Sequence, residues 1–207
     1  MSSRFSFVAC AAAMAAIPLR PTDDEARVVN VIVDEYVEMA RDFWARAEDH
    51  HYDTMRGRAS ELHASRLAVS RVTMAPLKAM GSRKDYAHLP EEDRFEAIRR
   101  RRTPLYRAYA ALPHGQELTW LKKRKDLIVV SDLAAKTEKD PEKFYARHAE
   151  ARGLLTLSAP AVIGDEAFIY AQLMMVYSEE GVVYHLRKVK GRWRIDWKLT
   201  LYDLPGC

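Results

Sequence analysis

The chain has 207 residues, of which 48% are hydrophobic and 30% charged. That composition excludes wholesale disorder, and the length allows a core without metal or disulfide staples. Its 33 basic residues against 29 acidic ones leave a formal charge of +4, too small an excess to argue by itself for a nucleic-acid or membrane partner.

The first predicted element is a leader. Residues 1–17, MSSRFSFVACAAAMAAI, set Arg4 and the free amine before an apolar run from Phe5 to Ile17. Ala13-Met14-Ala15 then supplies small residues at the spacing a signal peptidase needs. The run is shorter than the roughly 20 residues of a membrane-spanning helix, and no later segment is apolar enough to span. The expectation is a signal over residues 1–16 and a periplasmic or secreted protein; the alternative is a buried first helix in a cytoplasmic one. Phe7-Val8-Ala9-Cys10 has the outline of a lipoprotein box, but Arg4 lies too close to Cys10 to leave room for its hydrophobic region. Cleavage would remove Cys10 and leave Cys207 as a lone thiol without a disulfide partner.

Residues 22–207 are expected to form a single α+β domain, helical over 22–113 and sheet-rich over 117–203. Thr22-Asp23-Asp24-Glu25 has the form of a capping box, with acids in the first turn where the helix dipole favours them. Behind it Val29, Ile32, Val33, Tyr36, Ala40, Phe43 and Trp44 recur at three- and four-residue spacing, predicting a long amphipathic helix to about Ala47. A second helix is expected over Tyr52–Val72 around Leu62, Leu67 and Val69, then a loop over Met74–Asp85. Another helix starts at Leu89-Pro90-Glu91-Glu92 and runs into Arg99–Arg102. Thr103-Pro104 caps a short helix from Leu105 to Leu112.

From Glu117 the period changes. Leu127-Ile128-Val129-Val130 reads as a short strand, and Asp140-Pro141-Glu142 opens a helix to Arg152 with Gly153 as its C-terminal cap. Four strands follow, Leu154–Val162, Ala167–Tyr177, Val182–Val189 and Arg192–Tyr202, joined by short turns as in an antiparallel meander. The strand from Ala167 is apolar on both faces, so something must cover part of its second face. The predicted fold is therefore a helical N-terminal half packed on a C-terminal four-stranded antiparallel meander.

The last hairpin fixes a register. If Lys190-Gly191 is a two-residue turn, Val189 faces Arg192, Leu186 faces Ile195, Tyr184 faces Trp197 and Val182 faces Leu199. Trp193, Ile195, Trp197, Leu199 and Leu201 would then share one apolar face. His185 would stand opposite Asp196, and Arg187 opposite Arg194, on the other. A three-residue loop would instead bring His185 beside Arg194.

Phe144-Tyr145, Gly153-Leu154-Leu155-Thr156-Leu157-Ser158, Phe168–Tyr177, Gly181 and the turn Lys188–Ile195 with Trp193 follow one another in order. In this the C-terminal third resembles a loosely defined group of bacterial exported proteins without an assigned activity, which end in a glycine turn followed by Trp-x-Ile or Trp-x-Val. The same hairpin also occurs in the NTF2-like cone fold. The resemblance implies a sheet and a bacterial exported setting; it brings no catalytic residue with it.

Candidate chemistry gathers in three places. On the polar face of the last hairpin, His185 and Asp196 form a candidate acid–base pair, Tyr202 lies on the same strand, and Arg187 with Arg194 would suit an anion. The plainer reading of that face is a solvated sheet surface. Two basic clusters, Arg99-Arg100-Arg101-Arg102 and Lys122-Lys123-Arg124-Lys125, could bind phosphates or an acidic partner, or could be helix-end and loop charge. Glu48-Asp49-His50-His51-Tyr52-Asp53, with His63 beyond it, is rich in metal-ligand types, but adjacent histidines on a helix do not share a face, so no metal is assigned. No Gly-x-Ser-x-Gly, Ser-x-x-Lys, Gly-x-x-x-x-Gly-Lys or Gly-x-Gly-x-x-Gly occurs, so no cofactor is expected. Three functions result. The first is a non-enzymatic exported domain binding an anionic envelope component or small ligand. The second is an NTF2-like enzyme using His185 with Asp196. The third is a cytoplasmic nucleic-acid binder using the basic clusters.

Overall fold

The computed structural model describes residues 22–49, 66–75, 90, 96, 100, 102–113, 115–118, 121, 124–130, 144, 147–175 and 178–205, with backbone alone for 43–49, 178 and 202–205. Helix α1, Asp23–Asp49, begins with the expected capping box. The Glu25 N–H donates to Thr22 Oγ1 at 3.3 Å and the Thr22 N–H to Glu25 Oε2 at 2.6 Å, so two otherwise orphaned donors are satisfied. Val28, Val29, Ile32, Val33, Tyr36 and Ala40 line its inner stripe and are all buried. Phe43 and Trp44 lie outside the described side chains.

The strands are β1 (Arg66–Ser70), β2 (Leu127–Val130), β3 (Ala151–Leu157), β4 (Ala161–Ile163), β5 (Glu166–Met175), β6 (Ser178–Val189) and β7 (Arg192–Pro205). They form one seven-stranded sheet in the order β2-β1-β3-β5-β6-β7, with β4 also paired to β5. β3, β5, β6 and β7 run antiparallel in turn. β1 lies parallel to both β2 and β3, so the sheet is mixed.

This corrects the predicted α+β architecture. Among the described residues there are two helices, α1 and α2 (Pro104–Ala110), and no helical half. The expected helix over Tyr52–Val72 gives way at its C-terminal end to β1, whose Leu67 and Val69 face α1 while Ala68 packs on the opposite side with Val130 and Phe144. A short apolar run buried on both faces is what a central parallel strand requires, and helical spacing cannot distinguish it. Gly153 is likewise no helix cap but lies inside β3. A Cβ there would stand 3.1 Å from Leu173 Cδ1 and 3.3 Å from the Met174 carbonyl oxygen, so the neighbouring strand β5 excludes a side chain. The single strand expected over Leu154–Val162 is two, β3 and β4, interrupted at Ser158-Ala159-Pro160.

Several expectations do hold. β2 occupies the predicted Leu127–Val130, and Thr103 caps α2, its Oγ1 accepting from the Tyr106 N–H. The cover required over the second face of β5 is α2: Leu105, Tyr106 and Tyr109 pack there with Phe168 and Tyr170. α1 takes the first face through Ala167, Ile169, Ala171 and Leu173. Helix, sheet and second cover thus make three layers, and each fully buried aliphatic side chain in them contributes about 1.5–3 kcal/mol.

The β6–β7 turn is the two-residue one, with Lys190 at φ 51° and Gly191 at φ 76°, a left-handed pair suited to the twist of a tight hairpin. The predicted register holds as far as Leu186 opposite Ile195. There a bulge intervenes, and His185 pairs with Trp197, Tyr184 with Lys198 and Val183 with Leu199. One apolar face for β7 is therefore overturned. Trp193 and Ile195 face α1, whereas Trp197, Leu199 and Leu201 face α2. A single inserted residue reverses the side of everything beyond it.

Candidate functional site

The inserted residue is Asp196, and the bulge turns its carboxylate toward His185. His185 projects from β6 onto the α2 face, between Phe168 on β5 and Trp197 on β7. It is 3% exposed, with its ring centroid 5.1 Å from that of Phe168. Nδ1 lies 2.9 Å from Asp196 Oδ2. Nε2 lies 3.7 Å from Glu166 Oε1, beyond hydrogen-bonding distance.

Arg100 closes the group. Its guanidinium donates to Asp196 Oδ2 at 3.2 Å and to Glu96 Oε1 at 2.6 Å, and it sits 5.0 Å from the Trp197 ring centroid. Glu96 and Arg100 are both helical, four residues apart, which puts them on one face. Arg187 completes the ring, 3.6 Å from Glu166 and 3.9 Å from Asp196.

Burial lowers the pKa of His185, and the charge of Arg100 lowers it further; Asp196 and Glu166 pull the other way without prevailing. The imidazole is therefore neutral at pH 7. Because Asp196 is an acceptor, the proton lies on Nδ1 and Nε2 keeps its lone pair. Burial opposes ionisation of Asp196, but hydrogen bonds from His185 and Arg100 hold its carboxyl below the usual value. A carboxylate that fixes the tautomer of a neutral imidazole is a general-base arrangement in outline. The cleft beside it, lined by Arg100, Thr103, Glu166, Phe168, His185 and Arg187 among others, holds about 110 Å³.

The other sequence candidates are dispersed. Arg194 stands opposite Arg187, as the turn predicts, on the exposed surface. Tyr202 lies on β7 opposite Gly181, and its side chain is outside the described set. Arg99 and Arg101 lie outside the described residues, while Arg100 turns inward and Arg102 is exposed beside α2. Lys122 and Lys123 are also outside them. Arg124 pairs with Asp126 and with Asp34 on α1, leaving Lys125 exposed. Neither basic run is therefore a row of free cations through its described members.

His50, His51, Tyr52, Asp53 and His63 lie outside the described residues, as do the side chains of Glu48 and Asp49. Among the described residues no three His, Cys, Asp or Glu side chains gather as a metal site. Among them, too, no helix is long and apolar enough to cross a membrane.

Sequence reasoning missed Glu166 and the inward role of Arg100. The Glu96/Arg100 spacing carried a signal, as did the position of Glu166 two residues before Phe168 on the same strand face. The contact with Asp196 needed the bulge.

Fold and site define a three-layer mixed α/β domain with a buried histidine–carboxylate–arginine network. No protein-family model, curated protein or solved structure matches the chain.

Proposed function

We propose that the chain is a non-enzymatic binding domain of an exported bacterial protein, and that the His185 network holds the sheet and its second cover together. The size and charge state of the His185 cleft carry this reading. Sites for small molecules run to roughly 300–1,000 Å³, against about 110 Å³ here. Its two guanidiniums already face carboxylates, Arg100 with Glu96 and Asp196, Arg187 with Glu166 and Asp196. An incoming anion would have to displace them. Export is supported by Arg4 ahead of the apolar run from Phe5 to Ile17 and by the resemblance of the C-terminal third.

Diethylpyrocarbonate tests the site, since it acylates accessible neutral imidazole nitrogen. A binding domain of this kind leaves His185 modified far more slowly than exposed histidines of the same chain. Rapid modification of His185 overturns the reading. For export, the intact mass of protein from fractionated bacterial cells should show a periplasmic species shorter by about 15–20 residues. A full-length cytoplasmic species overturns that half.

One observation favours a second reading, an enzyme using His185 as base: the Asp196-held tautomer leaves Nε2 bordering the cleft. Fast modification at His185, protected by a small substrate, is its expected signature.

A further inference from the structure

The three parallel strands β1, β2 and β3 begin at the same edge of the sheet, where α1 crosses them. A recess of about 270 Å³ opens there, lined by Val37, Ala40 and Arg41 of α1, Leu67 of β1, Asp126 at the start of β2 and Arg152 of β3. It shares no residue with the His185 cleft. Its floor is the margin of the core: Ala40 and Leu67 are buried, and Val37 packs against the same cluster. Its rim is cationic.

The single carboxylate in the lining is already engaged. Arg124 grips Asp126 with two parallel hydrogen bonds, Nε to Oδ1 at 2.9 Å and Nη2 to Oδ2 at 2.6 Å, and also pairs with Asp34. Arg66 Nε donates to the Lys125 carbonyl at 2.9 Å and fixes the turn that carries them. Around the recess the guanidiniums of Arg41, Arg124 and Arg152 stand against the carboxylates of Asp34 and Asp126, an excess of positive charge. An arginine rim beside an apolar floor selects by two features together. A carboxylate pairs with a guanidinium through two hydrogen bonds, and an apolar tail displaces water from the floor. Bare phosphate would leave the floor wet, and a cation would be repelled by the rim.

We propose that this recess binds a small free carboxylate with a short apolar tail, held at its head by Arg41 and Arg152. The proposal rests on the binding-domain reading and gives it a ligand class.

Calorimetric titration of the full chain tests it, with octanoate as probe and octanol and inorganic phosphate as the tail-only and head-only comparisons. Octanoate should bind saturably at one site, more tightly than either comparison. Arg41→Gln and Arg152→Gln should each weaken it about tenfold or more, the scale of losing a charge-assisted hydrogen bond. Arg107→Gln, on α2, should leave it unchanged. Arg41 is exposed on the helix surface, so its variant decides the matter even where Arg152→Gln fails to fold. No saturable octanoate binding, binding unchanged in Arg41→Gln, or phosphate binding as tightly as octanoate would each overturn the proposal. Rapid acylation of His185 with the titration intact would remove the binding-domain reading alone. Slow acylation without octanoate binding would remove the recess alone.

Discussion

Asp196 is the inserted residue of the β7 bulge, and its Oδ2 lies 2.9 Å from Nδ1 of His185 on the neighbouring strand. In an unbroken ladder the two would be cross-strand partners, as the turn predicts. The bulge instead gives His185 to Trp197 as partner, and leaves Asp196 free to aim its carboxylate at His185 and Arg100 together. The contact expected from sequence survives, but by a different route.

That pair makes stability sensitive to pH. The folded pKa of His185 lies below its ordinary 6.5, so beneath that value the unfolded chain binds a proton that the folded chain refuses. Stability is present in full above about pH 6.5 and falls as the pH drops toward the folded pKa. Asp196 adds a second, more acidic loss: its stabilisation is present above its ordinary 3.8 and disappears as the pH falls through its lower folded value. Urea midpoints across this range, with the His185 ring followed by NMR, check both. A His185 titrating above 6.5 would contradict the buried neutral imidazole.

Asp196→Asn separates charge from geometry. Asparagine can still accept from Nδ1, while the charge that raises the His185 pKa is lost. The ring should therefore titrate lower still, with the fold intact. Deleting residue 196 should do far worse. Closing the bulge would turn Trp197, Leu199 and Leu201 from the α2 face to the α1 face, and the deleted chain should show no cooperative unfolding transition. A cooperative transition close to that of the full chain would show the bulge to be dispensable.

How much of this was legible depends on how local each signal was. α1, α2 and the Lys190-Gly191 turn follow from caps and left-handed backbone within a few residues, and their sequences specify them well. β1 was misread because Leu67-Ala68-Val69 becomes a strand only when β2 and β3 flank it, which no window of the sequence displays. The apolar face of β7 was read as continuous because alternation is continuous; a bulge keeps the pattern and changes the side. The His185 site was half legible for the same reason. Its two polar partners on β6 and β7 were in view, whereas Glu166 and Arg100 come from segments that only the sheet and its second cover bring together.

Gly153→Ala should destabilise the sheet. The new methyl would press on Leu173 Cδ1 at 3.1 Å and on the Met174 carbonyl at 3.3 Å, and the second contact is backbone held by the β3–β5 ladder. Overpacking of this kind costs about 1–3 kcal/mol. Chemical denaturation reads it directly, and a neutral or stabilising result would mean that β3 and β5 separate more easily than their pairing implies.

Trp193 joins α1 to the hairpin in two ways, and graded substitutions separate them. Its ring is 6% exposed in the α1-face core, and its indole N–H donates to Asp24 Oδ1 at 3.1 Å, where Lys188 Nζ also binds at 3.0 Å. Trp193→Ala removes the whole aromatic volume and should cost about 3–5 kcal/mol. Trp193→Phe keeps most of the apolar contact, and Lys188 still satisfies Asp24, so well under half of that loss is expected. Trp197→Ala should fall between them, because its ring is only partly buried beneath Arg100. Urea unfolding of the three variants gives the order directly. If Trp193→Phe proved as damaging as Trp193→Ala, the indole hydrogen bond to Asp24, and not the buried ring, would be what holds the start of α1 against the β6–β7 turn.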